Sequence, residues 1–270
     1  MTACILTIIK NEHLYLDEWI QYHLNLGIDH IFIFEDIDSE SHKDITDKYC
    51  QVALDNISML LNESEIKLAQ KLKQTKRWNV QHLYFRKALS YLKSCCDEAW
   101  CFVLDADEFI TFEDKDANLN DVLSLYDSYD AFIMHWKCFG ASGYLIKPDY
   151  STVGVIDTYT QEVNGKVSDC LTGQVKTCYS LKKYDDRFFF NQHHPNDKCN
   201  WCNTDFKSCS YDGTYNNIYV RHYITKSWEE YVWKKMSRGF CWGKKRNFDF
   251  FFEANPEFNS QKEELIKNVK

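Results

Sequence analysis

The sequence predicts an α/β fold with a mixed, mostly parallel central sheet over residues 1–143 and an irregular elaboration over 144–270, the whole 1–270 forming one domain. Three observations carry this expectation. Short apolar runs alternate with helix-patterned segments through the first half. Three of those runs end in carboxylates, at Lys10-Asn11-Glu12, Glu35-Asp36 and Asp105-Ala106-Asp107-Glu108. Clean periodicity stops near Tyr144, where Tyr, Asn, Asp and Cys become frequent.

Ile5–Ile9 reads as the first strand. Tyr15–Leu26 follows as a helix, with Leu16, Trp19, Ile20, His23 and Leu24 on one face and Gly27 as its stop. Ile31–Phe34 is a second strand, Ser41–Cys50 a helix opened by a serine cap, and Ile57–Leu61 a third strand. Arg77–Lys93 keeps Val80, Leu83, Tyr84, Ala88 and Tyr91 in helical phase. Trp100–Leu104 and Ala131–Trp136 read as strands, Leu119–Tyr126 as a helix. In the second half, Ser227–Met236 has helical spacing. Ligands of such sheets bind beyond the carboxyl ends of the strands, so the acidic tips matter most.

Composition narrows the class. An apolar fraction of 44% and a charged fraction of 27% exclude wholesale disorder. A net charge of −8 argues against a nucleic-acid binder, although the last fifty residues are locally basic. Neither a secretory leader nor a spanning run is visible, so the expected location is cytoplasmic, with a peripheral place at the inner face of the membrane as a variant. The 12 cysteines are then expected as reduced thiols, most of them acting as small hydrophobes.

The sharpest local signal is Asp105-Ala106-Asp107-Glu108 behind the apolar run Trp100–Leu104. Two carboxylates one residue apart at a strand tip suit a hard divalent cation held against a diphosphate; a solvated acidic turn is the alternative. None of the 9 glycines forms a phosphate-cradling loop, which disfavours Rossmann dehydrogenases and P-loop enzymes. His193, His194, Cys199, Cys202 and Cys209 could assemble a zinc site or could fill loop and core positions; their spacing matches no standard module. Residues 233–248 interleave Lys234, Lys235, Arg238, Lys244, Lys245 and Arg246 with Trp233, Phe240, Trp242 and Phe248. That stretch suits phosphate or an anionic membrane surface, or else a solvated helix face with aromatics turned inward.

Taken in order, these pieces resemble a GT-A glycosyltransferase of the family 2-like group related to glycosyltransferase family 92. The similar segments are Lys10-Asn11-Glu12, Leu16-Asp17-Glu18-Trp19-Ile20-x-Tyr22-His23-x-x-Leu26-Gly27, Gln81, Leu104-Asp105-Ala106-Asp107-Glu108-Phe109-Ile110, Trp136 with Phe139-Gly140-x-x-Gly143, His222-Tyr223-x-Thr225-Lys226-Ser227-x-Glu229-Glu230, and Phe251-Phe252-Glu253-x-Asn255-Pro256. The resemblance spans roughly residues 3–258. It departs from the family at Glu35-Asp36-Ile37-Asp38, at Asp197–Asp212, and at Asp157, where the family carries Glu.

The resemblance implies a GT-A, Rossmann-like nucleotide-sugar fold and transfer of a sugar from a nucleotide-diphosphate donor, UDP-sugar favoured, to a glycan or lipid-linked glycan, as in lipopolysaccharide or capsule synthesis. It implies Mn²⁺ or Mg²⁺ at Asp105 and Asp107 with His222 nearby. It further implies donor contacts from Asn11, Glu12, Asp36, Gln81, Asp105, Trp136, Lys176 and Lys226. An inverting displacement needs a base, for which Glu108, Asp157, Asp185 and Asp186 are all open. Two rival readings stand beside it: a catalytically silent glycan-binding protein on the same fold, and a haloacid-dehalogenase-like phosphatase using Asp105 as nucleophile.

Overall fold

The computed structural model describes residues 2–74, 79–163, 174–189, 191–236 and 247–269. Its strands are β1 (Thr2–Ile9), β2 (His30–Glu35), β3 (Val52–Asn56), β4 (Ala99–Val103), β5 (Glu108–Phe112), β6 (Ala131–Phe139), β7 (Val175–Ser180), β8 (Trp201–Asn203) and β9 (Ile218–Tyr223). Its helices are α1 (Leu16–Asn25), α2 (Lys43–Thr46), α3 (Glu63–Gln74), α4 (Asn79–Cys95), α5 (Leu119–Ser124), α6 (Val155–Thr158), α7 (Trp228–Glu230), α8 (Phe248–Ala254) and α9 (Lys262–Val269).

The strands form one mixed, mostly parallel sheet in the order β3-β2-β1-β4-β7-β6-β9-β5, with β8 also paired to β6. Ladders β1–β2, β2–β3, β1–β4, β6–β8 and β6–β9 are parallel. Those of β4–β7, β6–β7 and β5–β9 are antiparallel. The long strand β6 explains the curl. Its first half, Ala131–His135, pairs with β7, and its second half, Trp136–Phe139, pairs with β9.

Strand alternation sorts side chains into two cores. Ala3, Ile5, Trp100, Phe102 and Leu104 join α1 and α5 on one face. Cys4, Leu6, Cys101 and Val103 join α4 on the other, through Tyr84, Phe85, Ala88, Leu89 and Leu92. Strands buried on both faces read as continuous apolar runs, which is why β1, β2 and β4 stand out in the sequence.

Several expectations need correction. Ile57–Leu60 is a 3₁₀ turn, not a strand, because the Asn56 side chain accepts from Ser58 N at 3.0 Å and starts a helical turn; the third strand is β3 just before it. The helix expected over Ser41–Cys50 shrinks to α2, and His42, rather than Ser41, precedes it. Ser227–Met236 is a short α7 followed by a widened π turn, Tyr231–Lys235. The expected helix start Arg77 lies outside the described residues, as do residues 237–246 of the basic stretch.

The sequence signatures turn out to be struts. In α1, Trp19 Nε1 donates to Glu108 O at 2.7 Å, Tyr22 Oη donates to Ile110 O at 2.6 Å, and His23 Nε2 accepts from Ile110 N at 3.3 Å. The helix thus fixes β5 directly after the acidic tip. Glu18 accepts from Val155 N and Ile156 N and occupies the space a Cβ at Gly154 would need. The Asn255 side chain accepts from Ala141 N and donates to Thr225 Oγ1, tying the loop after β6 to the loop after β9. Among the described residues, no helix is long and apolar enough to cross a membrane.

Candidate active site

Strand β4 delivers Asp105 and Asp107 to its carboxyl end, beside the tip of β1. The turn is closed by Glu108 N donating to Asp105 O at 3.1 Å, and the Glu108 carboxylate accepts from Asp105 N at 2.9 Å. From β7, Lys176 reaches Asp105 at 2.7 Å and Glu108 at 3.2 Å. Lys176 and Glu108 are both fully buried. Burial disfavours the ammonium, but Asp105 and Glu108 outweigh it and raise the Lys176 pKa. Burial likewise pushes Glu108 well above the ordinary carboxylate range, against the pull of Lys176. Its Oε1 has no hydrogen-bond partner among the described residues.

Asp107 meets a different set of cations. Lys235 contacts it directly, Lys226 lies 3.6 Å away, and His222 Nε2 lies 3.7 Å away. Burial alone would raise this carboxyl; Lys235, Lys226 and His222 reverse the effect and hold it well below the usual range. A second layer stands behind. Lys234 pairs with Glu12 and donates to Tyr15 Oη at 2.8 Å. The Tyr15 ring carries the ammoniums of both Lys226 and Lys234, at 4.4 and 4.5 Å from its centroid.

Two residues here adopt the left-handed backbone region without being glycine: Asn11 at φ 54° and Lys226 at φ 54°. Asparagine tolerates that region. For lysine it costs on the order of 1–3 kcal/mol, the kind of strain that collects at functional sites. Asn255, through Thr225, holds the loop in which Lys226 sits.

The other expected donor contacts lie along the β1 and β2 tips. The Asn11 side chain accepts from Glu40 N at 2.9 Å. Glu12 N donates to His42 Nε2 at 2.8 Å, which leaves His42 Nδ1 to donate to Glu35 at 2.9 Å. Asp36 pairs with Lys73 at 2.6 Å, and Lys10 pairs with Asp38 at 2.6 Å. Beside them a cavity of about 460 Å³ is lined by Ile37, Asp38, Ser58, Ile66, Gln70 and Lys73. Gln81, near the start of α4, accepts from Gln192 at 3.3 Å, one residue before His193.

Some expected residues take other roles. Trp136 is only 8% exposed, and its ring rests on His222 and His193 at centroid distances of 4.1 and 5.2 Å; it walls the site rather than offering a free face to a sugar. Complete burial makes Glu108 a brace for Asp105 and Lys176, not a base open to an acceptor. Asp185 is held by Arg187 at 2.8 Å, and Asp186 accepts from Ser90 at 2.6 Å. Both follow β7, which ends beside the start of β4, as Ser180 pairs with Trp100. Asp157 is exposed on α6.

The histidine–cysteine cluster does not converge. His193 Nδ1 bonds Val175 O, His194 packs edge-on against Tyr211, Cys199 and Cys202 are buried, and Cys209 is exposed. Burial raises the Cys199 and Cys202 thiols to about 12. Among the described residues, no group of three or more His, Cys, Asp or Glu side chains is placed to hold a metal ion.

Tyr15, His42 and the pairing of Glu12 with Lys234 were not foreseen from the sequence. The partners Glu12 and Lys234 are 222 positions apart, and no local pattern links them. The only signal was the unbalanced basic stretch containing Lys234 and Lys235.

No protein-family model and no curated protein sequence matches this chain. Among solved structures, HddC from Yersinia pseudotuberculosis aligns at 11% identity over 70% of this chain and 84% of its own, with a TM-score of 0.36. A UDP-glucose pyrophosphorylase from Acinetobacter baumannii aligns at 14% identity over 55% of this chain and 64% of its own, with a TM-score of 0.29. The UTP-bound form of that organism's enzyme gives 15% identity over 55% and 63%, with a TM-score of 0.30. At scores this low the likeness says nothing about what this chain binds.

Proposed function

We propose that this chain is a glycosyltransferase that moves a sugar from a nucleotide-diphosphate donor, UDP-sugar favoured, to a hydroxyl of a glycan or lipid-linked glycan. One observation carries the reading: carboxylates and lysines alternate around the end of β4, where Asp105, Glu108 and Asp107 face Lys176, Lys226 and Lys235. Such a cluster suits a ligand that brings both negative charge and a bridging cation. The ammoniums can turn from Asp107 to phosphate oxygens as a donor enters, with little change in net charge.

The donor chemistry fits Mn²⁺ or Mg²⁺. Hard cations accept one or two carboxylates and complete their shell with phosphate and water. Asp105 and Asp107 would hold the ion, with the diphosphate and water supplying the rest. When bound, the ion neutralises charge on the departing diphosphate. The chain's own residues do the remaining work. Lys176 and Glu108 fix Asp105, and Lys226 and Lys235 face the leaving group. Asn11, Asp36 and the cavity beside Asp38 and Lys73 take the nucleoside. Of the four candidate bases we favour Asp157, because its carboxylate is exposed on α6, whereas Glu108 is buried, Asp185 is paired with Arg187 and Asp186 is bonded to Ser90. The acceptor proton passes to it as the acceptor oxygen attacks and the bond from sugar to diphosphate breaks, with inversion. The acceptor class we propose is that of surface polysaccharide synthesis.

Thermal shift against UDP, GDP, CDP and CMP, each with Mn²⁺ or EDTA, tests this reading. At about 100 times its dissociation constant a ligand stabilises by about 2.7 kcal/mol. The expected result is a shift with one diphosphate that needs Mn²⁺ and disappears in Asp105→Asn and Asp107→Asn. A well-folded protein that responds to none of the four overturns it.

A further inference from the structure

A second cavity, of about 360 Å³, is lined by Leu14, Lys147, Glu229, Glu230 and Trp233. Its size falls within the range of about 300–1,000 Å³ typical of small-molecule sites. Two features separate it from an ordinary surface dent. Trp233 is 61% exposed, although large aromatics are usually covered. Glu230, by contrast, is only 2% exposed. Its Oε2 accepts from Ser227 Oγ at 2.8 Å, Tyr150 Oη at 2.6 Å and Tyr159 Oη at 2.8 Å, while its Oε1 has no hydrogen-bond partner among the described residues. The three hydroxyls fix Glu230, and with it that wall of the cavity.

The cavity is wired to the carboxylate cluster by three consecutive residues. Trp233 lines the cavity, Lys234 reaches Glu12 and Tyr15, and Lys235 reaches Asp107. The widened turn Tyr231–Lys235 lets neighbouring residues diverge in this way, and such π turns recur at functional sites. Leu14 also lines the cavity, while the next residue, Tyr15, carries Lys226 and Lys234.

We propose that this cavity is the subsite for one pyranose ring of the acceptor glycan, with Trp233 as its stacking platform. The inference rests on the glycosyltransferase reading above. A pyranose has an apolar face of C–H groups and a rim of hydroxyls. The Trp233 ring and the Leu14 side chain match the face. The carboxylate of Glu229 and the ammonium of Lys147 match the rim, and Glu229 is already fixed in place by Lys147 N at 2.8 Å. The mixture of charged and aromatic groups in the lining favours a sugar over a lipid tail.

The test uses the full chain on a printed array of mono- and oligosaccharides, with and without UDP and Mn²⁺, beside nucleotide thermal shift on the same samples. Trp233→Ala should weaken binding to the retained saccharides at least tenfold, and Trp233→Phe should restore part of it. Both variants should keep the wild-type nucleotide shift. Saccharide binding unchanged in Trp233→Ala overturns the proposal. So does a wild-type protein that responds to a nucleotide but retains no saccharide, and that outcome leaves the donor reading intact. A protein that retains saccharides through Trp233 but responds to no nucleotide keeps the subsite and defeats the donor reading. Trp233-dependent flotation with neutral phosphatidylcholine vesicles, without saccharide binding, replaces the sugar by a membrane.

Discussion

Two strand tips of this molecule carry the same pattern, and the fold treats them differently. Asp36-Ile37-Asp38 follows β2, and Asp105-Ala106-Asp107 follows β4. At the β2 tip, Lys10 and Lys73 neutralise carboxylates that border solvent. At the β4 tip, lysines from β7, from the loop after β9 and from the Tyr231–Lys235 turn converge on a partly exposed Asp105 and on Asp107 and Glu108, which are packed under the chain. The difference teaches that Asp-x-Asp spacing specifies little by itself. The cations gathered around it, and how completely water is excluded, decide what the pair can do.

The sharpest way to break the comparison is to remove one lysine from each tip. Lys176→Met strands buried carboxylates and is expected to destabilise the fold by about 3–5 kcal/mol in urea titration. Lys73→Met removes a cation that solvent can replace, and the expected loss is about 0–1 kcal/mol. Equal losses would erase the distinction.

Ligand response gives the next effect. Asp107→Asn is expected to abolish a Mn²⁺-dependent nucleotide shift of about 2.7 kcal/mol, whereas Asp38→Asn should retain the metal dependence and lose only part of the affinity. A reversed order would move the cation to the β2 tip.

Each tip also has a buried histidine behind it, which sharpens the contrast through pH. His23 accepts from Ile110 N and His42 accepts from Glu12 N, so each must keep Nε2 unprotonated. Burial lowers the His23 pKa from 6.5 to about 3, and burial also lowers that of His42. A depressed folded-state pKa means that the unfolded chain takes up the proton first as pH falls. Stability tied to His23 is therefore full above about pH 6.5 and declines by about 1.4 kcal/mol per pH unit down to about pH 3. In urea titrations across this range, His23→Gln should flatten the acid limb; an unchanged slope would place the acid sensitivity elsewhere.

The smallest effect is expected from Lys10→Ala. Its partner Asp38 is half exposed, and the change should alter stability by less than about 0.5 kcal/mol. A larger loss would show that the β2 tip is more rigid than its exposure implies.

The sequence made the first half of the fold legible where strands were buried on both faces, as in β1, β2 and β4. It hid elements whose polarity disguises them. β5 was absorbed into the acidic motif because Glu108 opens it, although that glutamate is fully buried. β7 holds a buried lysine, Lys176, that a hydropathy reading places outside. α3 is mostly polar and shows only a thin apolar stripe. At the site, Asp105, Asp107, Lys176, Lys226 and His222 were all named beforehand and do come together. Trp136 was named for a role its burial does not suit. Tyr15 escaped notice because a ring that carries two lysines from the far end of the chain leaves no mark in its own neighbourhood.

The pairing of Glu12 with Lys234 also sets a clock. With 222 positions between the partners, the ribosome needs roughly 10–45 s after making the first to make the second. Until Lys234 is made, Glu12 and Tyr15 wait without it, and Asp107, once made, waits for Lys226 and Lys235. The nascent protein can assemble the parallel strands of its first half long before it owns a complete site, so a chain terminated before Lys226 would carry those strands and leave Asp107 without its lysines.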